Sequence, residues 1–171
     1  AASFVVSAPG ADAYAVRSAT QLRPERLLVG CFERLVAAEV LEAISGGSDG
    51  VVAISNAPTL RHALARAVPE IAASRPGVPT EAVREWLCGS FDLLIEFARL
   101  RDGRQRVIRI AEISGMEHGA INLKDIFNFV IERTASGGTV EGSFHPSGVV
   151  PKAIEALSAR GINVEQSLFR R

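Results

Sequence analysis

Between Leu22 and Gly50 the chain reads LRPERLLVGCFERLVAAEVLEAISGGSDG, and this stretch restricts the fold more than any other. Leu27, Leu28 and Val29 form a short apolar run that stops at Gly30. From Leu35 to Ile44 the apolar residues recur at helical spacing. Gly46-Gly47 then supplies the left-handed conformations in which helices end, and Asp49-Gly50 turns the chain into Val51-Val52-Ala53-Ile54, a second short apolar run. The order is buried strand, helix, buried strand. In an open parallel sheet ligands bind outside the carboxyl ends of the strands, so Gly30, Cys31, Phe32 and Glu33 stand where chemistry is expected.

At 171 residues and 47% hydrophobic content the chain can bury a core of ordinary domain size. Lys+Arg and Asp+Glu balance at 19 each, so no global field steers it toward nucleic acid or an anionic membrane. Cys31 and Cys88 lie far apart, without zinc-ligand spacing, which argues for a reducing compartment and a cytoplasmic protein. No apolar run reaches the length of a membrane helix and the first residues lack signal-peptide character. The chain starts with Ala, which suggests a fragment or an excised domain, although removal of an initiator Met leaves the same start.

Upstream, Ser3 to Ser7 reads as a strand ending at the Ala8-Pro9-Gly10 turn, and Val16 to Leu22 as a weak helix ended by Pro24. Downstream, Pro58 and Thr59 open a helix to about Ser74, and Thr80 suits the N-cap of a helix from Glu81 to about Gly89. From Phe91 the period changes to the two-residue alternation of a strand, and Asp102-Gly103 joins it to Val107 through Ile113, a hairpin. A turn over Gly115 to Gly119 leads into a third extended segment, Ala120 to Val130, with a half-turn at Lys124-Asp125. Thr134 to Gly148 is rich in Gly, Ser and Thr and reads as a surface loop around the segment Val140 to Phe144. Pro151 to Arg160 is a short amphipathic helix stopped by Gly161.

The ordered series LRPERLLVG, the glycine doublet with Asp-Gly, HALARAV, FDLLIEFARLRDGRQRV, AEISGMEHGAINLKDIFNF and PKAIEAL resembles the type II/type IV secretion ATPases, in particular the Tad (Flp) pilus motors of the CpaF/TadA kind. The resemblance covers nearly the whole chain. It implies a three-layer α/β fold, the RecA-like core of P-loop NTPases without its phosphate-loop half, over residues 1–90, with an appended β-meander and C-terminal helix over residues 91–171, all as a single domain. It implies a hexameric cytoplasmic motor, or a ring shared with an active paralogue, that uses ATP and Mg²⁺ and works at the inner membrane with platform proteins of the pilus or secretion system. Neither nucleic acid nor direct membrane insertion is expected. In that family the Gly-x-x-x-x-Gly-Lys-Ser/Thr loop lies upstream of the matched region; none occurs here, and the only lysines are Lys124 and Lys152.

Two departures bear on activity. The family pattern Gly-Glu-Val-Arg-Gly, whose Glu polarises the attacking water, is here Gly30-Cys31-Phe32-Glu33-Arg34. A neutral thiol is a poor ligand for the hard, oxygen-seeking Mg²⁺. The family's histidine box is here Gly47-Ser48-Asp49-Gly50-Val51-Val52-Ala53-Ile54-Ser55-Asn56-Ala57-Pro58, with both histidines gone. Asn56 can donate a hydrogen bond but cannot carry charge or a proton. The expectation is a degenerate site with no catalytic residue and no metal ligand, either an impaired ATPase or a pseudo-ATPase serving as a structural or regulatory ring subunit.

The resemblance also places Arg17, Arg23 and Arg26 near the nucleotide or a neighbouring subunit, with Gly30 and Asp49 as further cofactor-binding candidates. Arg suits phosphate because its planar fork donates two parallel hydrogen bonds, while the plainer reading makes these surface charges and Asp49 a turn-former. Cys31 is either a reactive thiol activated by a helix start or an inert small residue. His62, His118 and His145 stand alone as surface residues, Trp86, Phe91 and Phe97 read as core, and Arg99, Arg101, Arg104, Arg106 and Arg109 form the one concentrated basic region.

Overall fold

The computed structural model describes residues 12–170. The strand expected at Ser3–Ser7 and the turn after it lie outside the described residues. The chain is mixed α/β and divides into two compact units, Ala1–Ser90 and Phe91–Arg171.

In the first unit, α1 (Asp12–Gln21) precedes β1 (Leu27–Val29), α2 (Arg34–Ser45), β2 (Val51–Ala53), α3 (Leu60–Ser74) and α4 (Thr80–Ser90). β1 and β2 pair in parallel, with Leu28 opposite Val52. A parallel pair needs a crossover, and α2 supplies it. α2 is the hub: Val36, Ala37, Ala38, Val40, Leu41 and Ala43 are all buried, and α1, α3 and α4 all pack against it. Ile71 from α3 and Val83 and Leu87 from α4 complete this core. Burying one such Leu or Ile contributes about 1.5–3 kcal/mol. Thr59 caps α3, its Oγ1 accepting the His62 N–H at 3.3 Å, and Pro69 sits inside the same helix on its exposed side.

The strand pair is covered on one face only. Leu27 and Val29 are buried, whereas Leu28, Val52 and Ile54 are 76%, 54% and 57% exposed. Trp86 is half-buried rather than core, because its indole N–H reaches the Ser45 hydroxyl at 2.7 Å and holds the ring at the rim of α2.

The second unit is a four-stranded antiparallel meander in the order β3 (Leu94–Arg99), β4 (Gln105–Glu117), β5 (Ala120–Thr134) and β6 (Val140–Pro146), followed by α5 (Ala153–Ala159) and a 3₁₀ turn, Gln166–Phe169. The turn between β4 and β5 is tighter than the Gly115–Gly119 stretch suggests. Glu117 pairs with Ala120, and the two residues between them, His118 and Gly119, both have positive φ, the signature of a two-residue hairpin turn. The Thr134–Gly148 stretch is not all loop. Val140 through Pro146 pair along β5 as a fourth strand, because Gly142 permits a close approach: a Cβ there would collide with the Val130 carbonyl oxygen and the Phe129 ring.

Inside this unit Ala111, Ile126 and Val140 are fully or almost fully buried, and the buried Glu112 accepts the Lys152 N–H at 2.9 Å, tying the start of α5 to β4. Phe169 closes on Phe127, ring centroids 5.7 Å apart. Phe97, expected in the core, is 67% exposed. Alternation shows which residues share a face and leaves open which face is covered.

Candidate functional site

The carboxyl ends of β1 and β2 stay stitched beyond the strands. Ile54 N–H donates to the Val29 carbonyl at 2.9 Å and Phe32 N–H donates to the Ile54 carbonyl at 2.7 Å. Phe32 is buried and anchors the turn, leaving Gly30 and Cys31 exposed on its outer side and Ser55 and Asn56 following β2 at the same end. The geometry therefore gathers Gly30, Cys31 and Asn56 at one end of the strand pair. A side chain at Gly30 would meet nothing within 4 Å, so the ground above this strand end is open.

Glu33 does not point into that opening. It occupies the N-cap position of α2 in extended conformation without capping the helix, and its carboxylate accepts Arg66 Nη2 at 3.1 Å. The same Arg66 nitrogen donates to the Ser55 hydroxyl at 3.0 Å, and Arg66 Nε lies 3.8 Å from Glu70. Glu70 in turn accepts the Arg34 N–H at 3.1 Å, satisfying one of the orphan donors at the start of α2. Arg34 itself has φ +49, a left-handed conformation that costs a non-glycine residue roughly 1–3 kcal/mol and persists only where its surroundings hold it. Arg66, Glu70 and Ser55 thus complete a closed network around the turn. Sequence reasoning assigned none of them to the site; the i,i+4 spacing of Arg66 and Glu70 on α3 is the only local trace of it.

Partial desolvation first, and the nearby Glu33 carboxylate second, push the Cys31 thiol above its ordinary value. This direction favours the inert small residue over the reactive thiol at Cys31.

The other sequence candidates lie elsewhere. Arg23, Arg26 and Asp49 precede the strands, at the amino ends of the pair, about 10 Å away for strands of three residues. Arg23 has φ +48 where α1 ends, and Arg26 donates to its neighbour's Glu25 carbonyl at 2.9 Å and lies across Gly50. Gly50, at φ +67, could carry no Cβ without meeting Arg26 Cδ and the Glu25 oxygen at 2.9 Å. Arg17 is committed to Glu39, a buried carboxylate on α2 to which its Nε donates at 3.0 Å. Arg75 donates to the same Glu39 at 2.9 Å and to Glu42 at 2.8 Å. The hydrogen bond from Arg17 first, and that from Arg75 after it, hold Glu39 below the usual carboxylate range against the opposing effect of burial. This trio clamps α1 and the end of α3 onto α2.

In the second unit the basic region is partly neutralised. Arg109 pairs with Asp125 and Glu96, and Arg106 pairs with Asp102 at 3.2 Å. Among the described residues, no group of three His, Cys, Asp or Glu side chains converges so as to hold a metal, and no helix is long and apolar enough to cross a membrane. Neither the protein-family models nor the curated proteins contain a match to this chain.

Proposed function

We propose that this chain is the C-terminal part of a secretion or pilus-assembly motor ATPase of the Tad type, RecA-like in its first unit, with a nucleotide site of impaired hydrolytic capacity. The observation that carries this reading is the parallel β1–α2–β2 unit with Cys31 and Asn56 at its carboxyl ends, in the frame where the family sets its carboxylate and imidazole. Whole-protein function would be conversion of ATP hydrolysis into pilus assembly or export, in a hexameric ring on the cytoplasmic side of the inner membrane with platform proteins as partners.

The residues present do not fit a Mg²⁺-nucleotide. Cys31 offers a sulfur to a cation that takes oxygen, Asn56 offers an uncharged amide, Glu33 is taken by Arg66, and Glu70 is taken by Arg66 and the Arg34 N–H. That same Glu33–Arg66 pairing favours a second reading, a pseudo-ATPase that keeps the fold as a structural or regulatory ring subunit.

The test compares full-length protein, wild type and Cys31→Glu/Asn56→His, for Mg-ATP turnover and for nucleotide binding by calorimetry. We expect slow turnover in the wild type and a gain on the order of 10²- to 10⁴-fold in the restored variant, the worth of a positioned general base. Fast wild-type turnover that the variant leaves unchanged would refute impairment. Absence of nucleotide binding in both proteins would leave the structural-subunit reading in its place.

A further inference from the structure

The second unit has two edge strands, and they are not alike. Edges present unpaired backbone donors and acceptors, and proteins blunt them with proline, charge or bulges. β6 is blunted: it ends at Pro146, which has no N–H to offer, and it carries Glu141, bridged to Arg133, and His145. β3 has no proline, and its one carboxylate, Glu96, is turned in against Arg109 of β4 with a side chain only 14% exposed. Where its register with β4 shifts, Glu96 pairs with Arg109 and Phe97 with Val107, so the extra residue, Ile108, lies on β4 and β3 runs unbroken.

At alternate positions, Leu93 just before β3 and Ile95 and Phe97 within it stand 42%, 50% and 67% exposed. The turn that follows, Leu100 to Arg104, adds charge of one sign. Its only carboxylate, Asp102, is turned inward, with a side chain only 5% exposed. Asp102 accepts the Arg104 N–H at 3.0 Å, the Val140 N–H at 3.2 Å and Arg106 Nη2 at 3.2 Å, and the first of these does most to hold it below the usual carboxylate range. Arg99 spends one nitrogen on the Gly103 carbonyl at 2.7 Å, a neutral partner. Arg99, Arg101 and Arg104 are all exposed, so three guanidinium charges gather at the end of a strand whose other exposed side chains, Ile95 and Phe97, are apolar.

We propose that the outer edge of β3, together with the arginine-bearing turn at its end, docks an extended acidic peptide segment of a partner protein, which adds to the sheet as a fifth strand. Main-chain hydrogen bonds along β3 supply the affinity, apolar side chains of the peptide at alternate positions meet Ile95 and Phe97, and its carboxylates meet Arg99, Arg101 and Arg104. A membrane surface fits less well, because lipid leaves the edge backbone groups unsatisfied. Single-stranded nucleic acid fits less well too, since successive bases need several aromatic faces and β3 exposes one, Phe97.

The experiment titrates the intact chain into a fluorescein-labelled peptide of alternating Thr and Val that ends in three Glu. We expect saturable binding that weakens as salt rises, loses about tenfold or more in the Arg101→Glu/Arg104→Glu variant, and is abolished when alternate peptide nitrogens are methylated. Hydrogen exchange should show new protection of β3 amides and none in β6. Both arginine side chains are exposed, so the variant keeps its fold, and its circular dichroism checks this. Unchanged affinity in the variant, or full affinity of the methylated peptide, would overturn the proposal. So would absence of peptide binding by a chain that instead binds phosphatidylserine vesicles or a single-stranded oligonucleotide.

Discussion

At the scale of single residues, two carboxylates of the first unit, one on the turn after β1 and one on α2, are taken by arginine. Glu33 is held by Arg66 and Glu39 by Arg17 and Arg75. The Glu39 clamp yields a pH prediction whose sign follows from its depressed pKa. A carboxyl group whose folded pKa lies below its unfolded value of about 4.3 contributes stability above that value and loses it as pH falls through the folded pKa. Arg75→Met should therefore lower stability by about 1.5–3 kcal/mol at pH 7, the range for hydrogen bonds to charged groups, and by less as the pH falls through the folded pKa of Glu39. Glu39→Gln should flatten the acid limb of the wild-type profile. Arg17→Met should cost less than Arg75→Met, since the Arg17 side chain is 60% exposed and screened by water while that of Arg75 is 22% exposed. Urea unfolding of the four proteins across pH 3 to 7 reads all of this. Equal costs at both ends of the range would mean that the clamp acts through packing of the arginine stems and not through charge.

At the scale of elements, two glycines with similar surroundings in sequence have opposite structural reasons. Gly142 lies where β6 crosses Val130 and Phe129 with no room for a Cβ, so Gly142→Ala should cost about 1–3 kcal/mol, as overpacking does. Gly30 has open space and no left-handed φ, so Gly30→Ala should be neutral or stabilise by up to about 1 kcal/mol. Thermal unfolding of the two variants separates them; a Gly30→Ala loss as large as that of Gly142→Ala would show that the turn after β1 needs glycine for a reason outside local sterics. The same contrast explains what was legible in sequence. β1, α2 and β2 are legible because an apolar run, a 3.6-residue period and glycine stops agree with one another locally. β6 is illegible because its Gly and Ser content looks like a loop until Gly142 is seen to fit under Phe129. The Glu33–Arg66 pair is illegible because its partners stand 33 residues apart and meet only once α3 has packed on α2. Gly30, Cys31 and Asn56 meet because parallel pairing aligns strand ends, whereas Arg23, Arg26 and Asp49 precede the strands and so fall at the far end.

At the scale of the whole molecule, the telling feature of the first unit is the uncovered face of its parallel sheet. Parallel strands are found buried on both faces, yet Leu28, Val52 and Ile54 stand in solvent while Leu27 and Val29, pointing the other way, are buried. Under the proposed function this face receives the phosphate-loop half of a RecA-like core. The consequence is a substitution whose cost depends on context. Leu28→Lys replaces a side chain that is 76% exposed in the 171-residue chain, so its unfolding free energy should stay within about 0.5 kcal/mol of wild type, as for ordinary surface changes. In the full-length polypeptide the same lysine would be driven into an apolar interlayer space without a counter-charge, which folding avoids at considerable cost. Chemical denaturation of the two lengths, each with and without the substitution, gives the comparison directly. A Lys tolerated equally in both would mean that this face remains open in the whole protein, and the RecA-like reading of the first unit would lose its support. A Lys harmless in the short chain and destabilising in the long one would identify Leu28, Val52 and Ile54 as the inner face of a larger sheet layer.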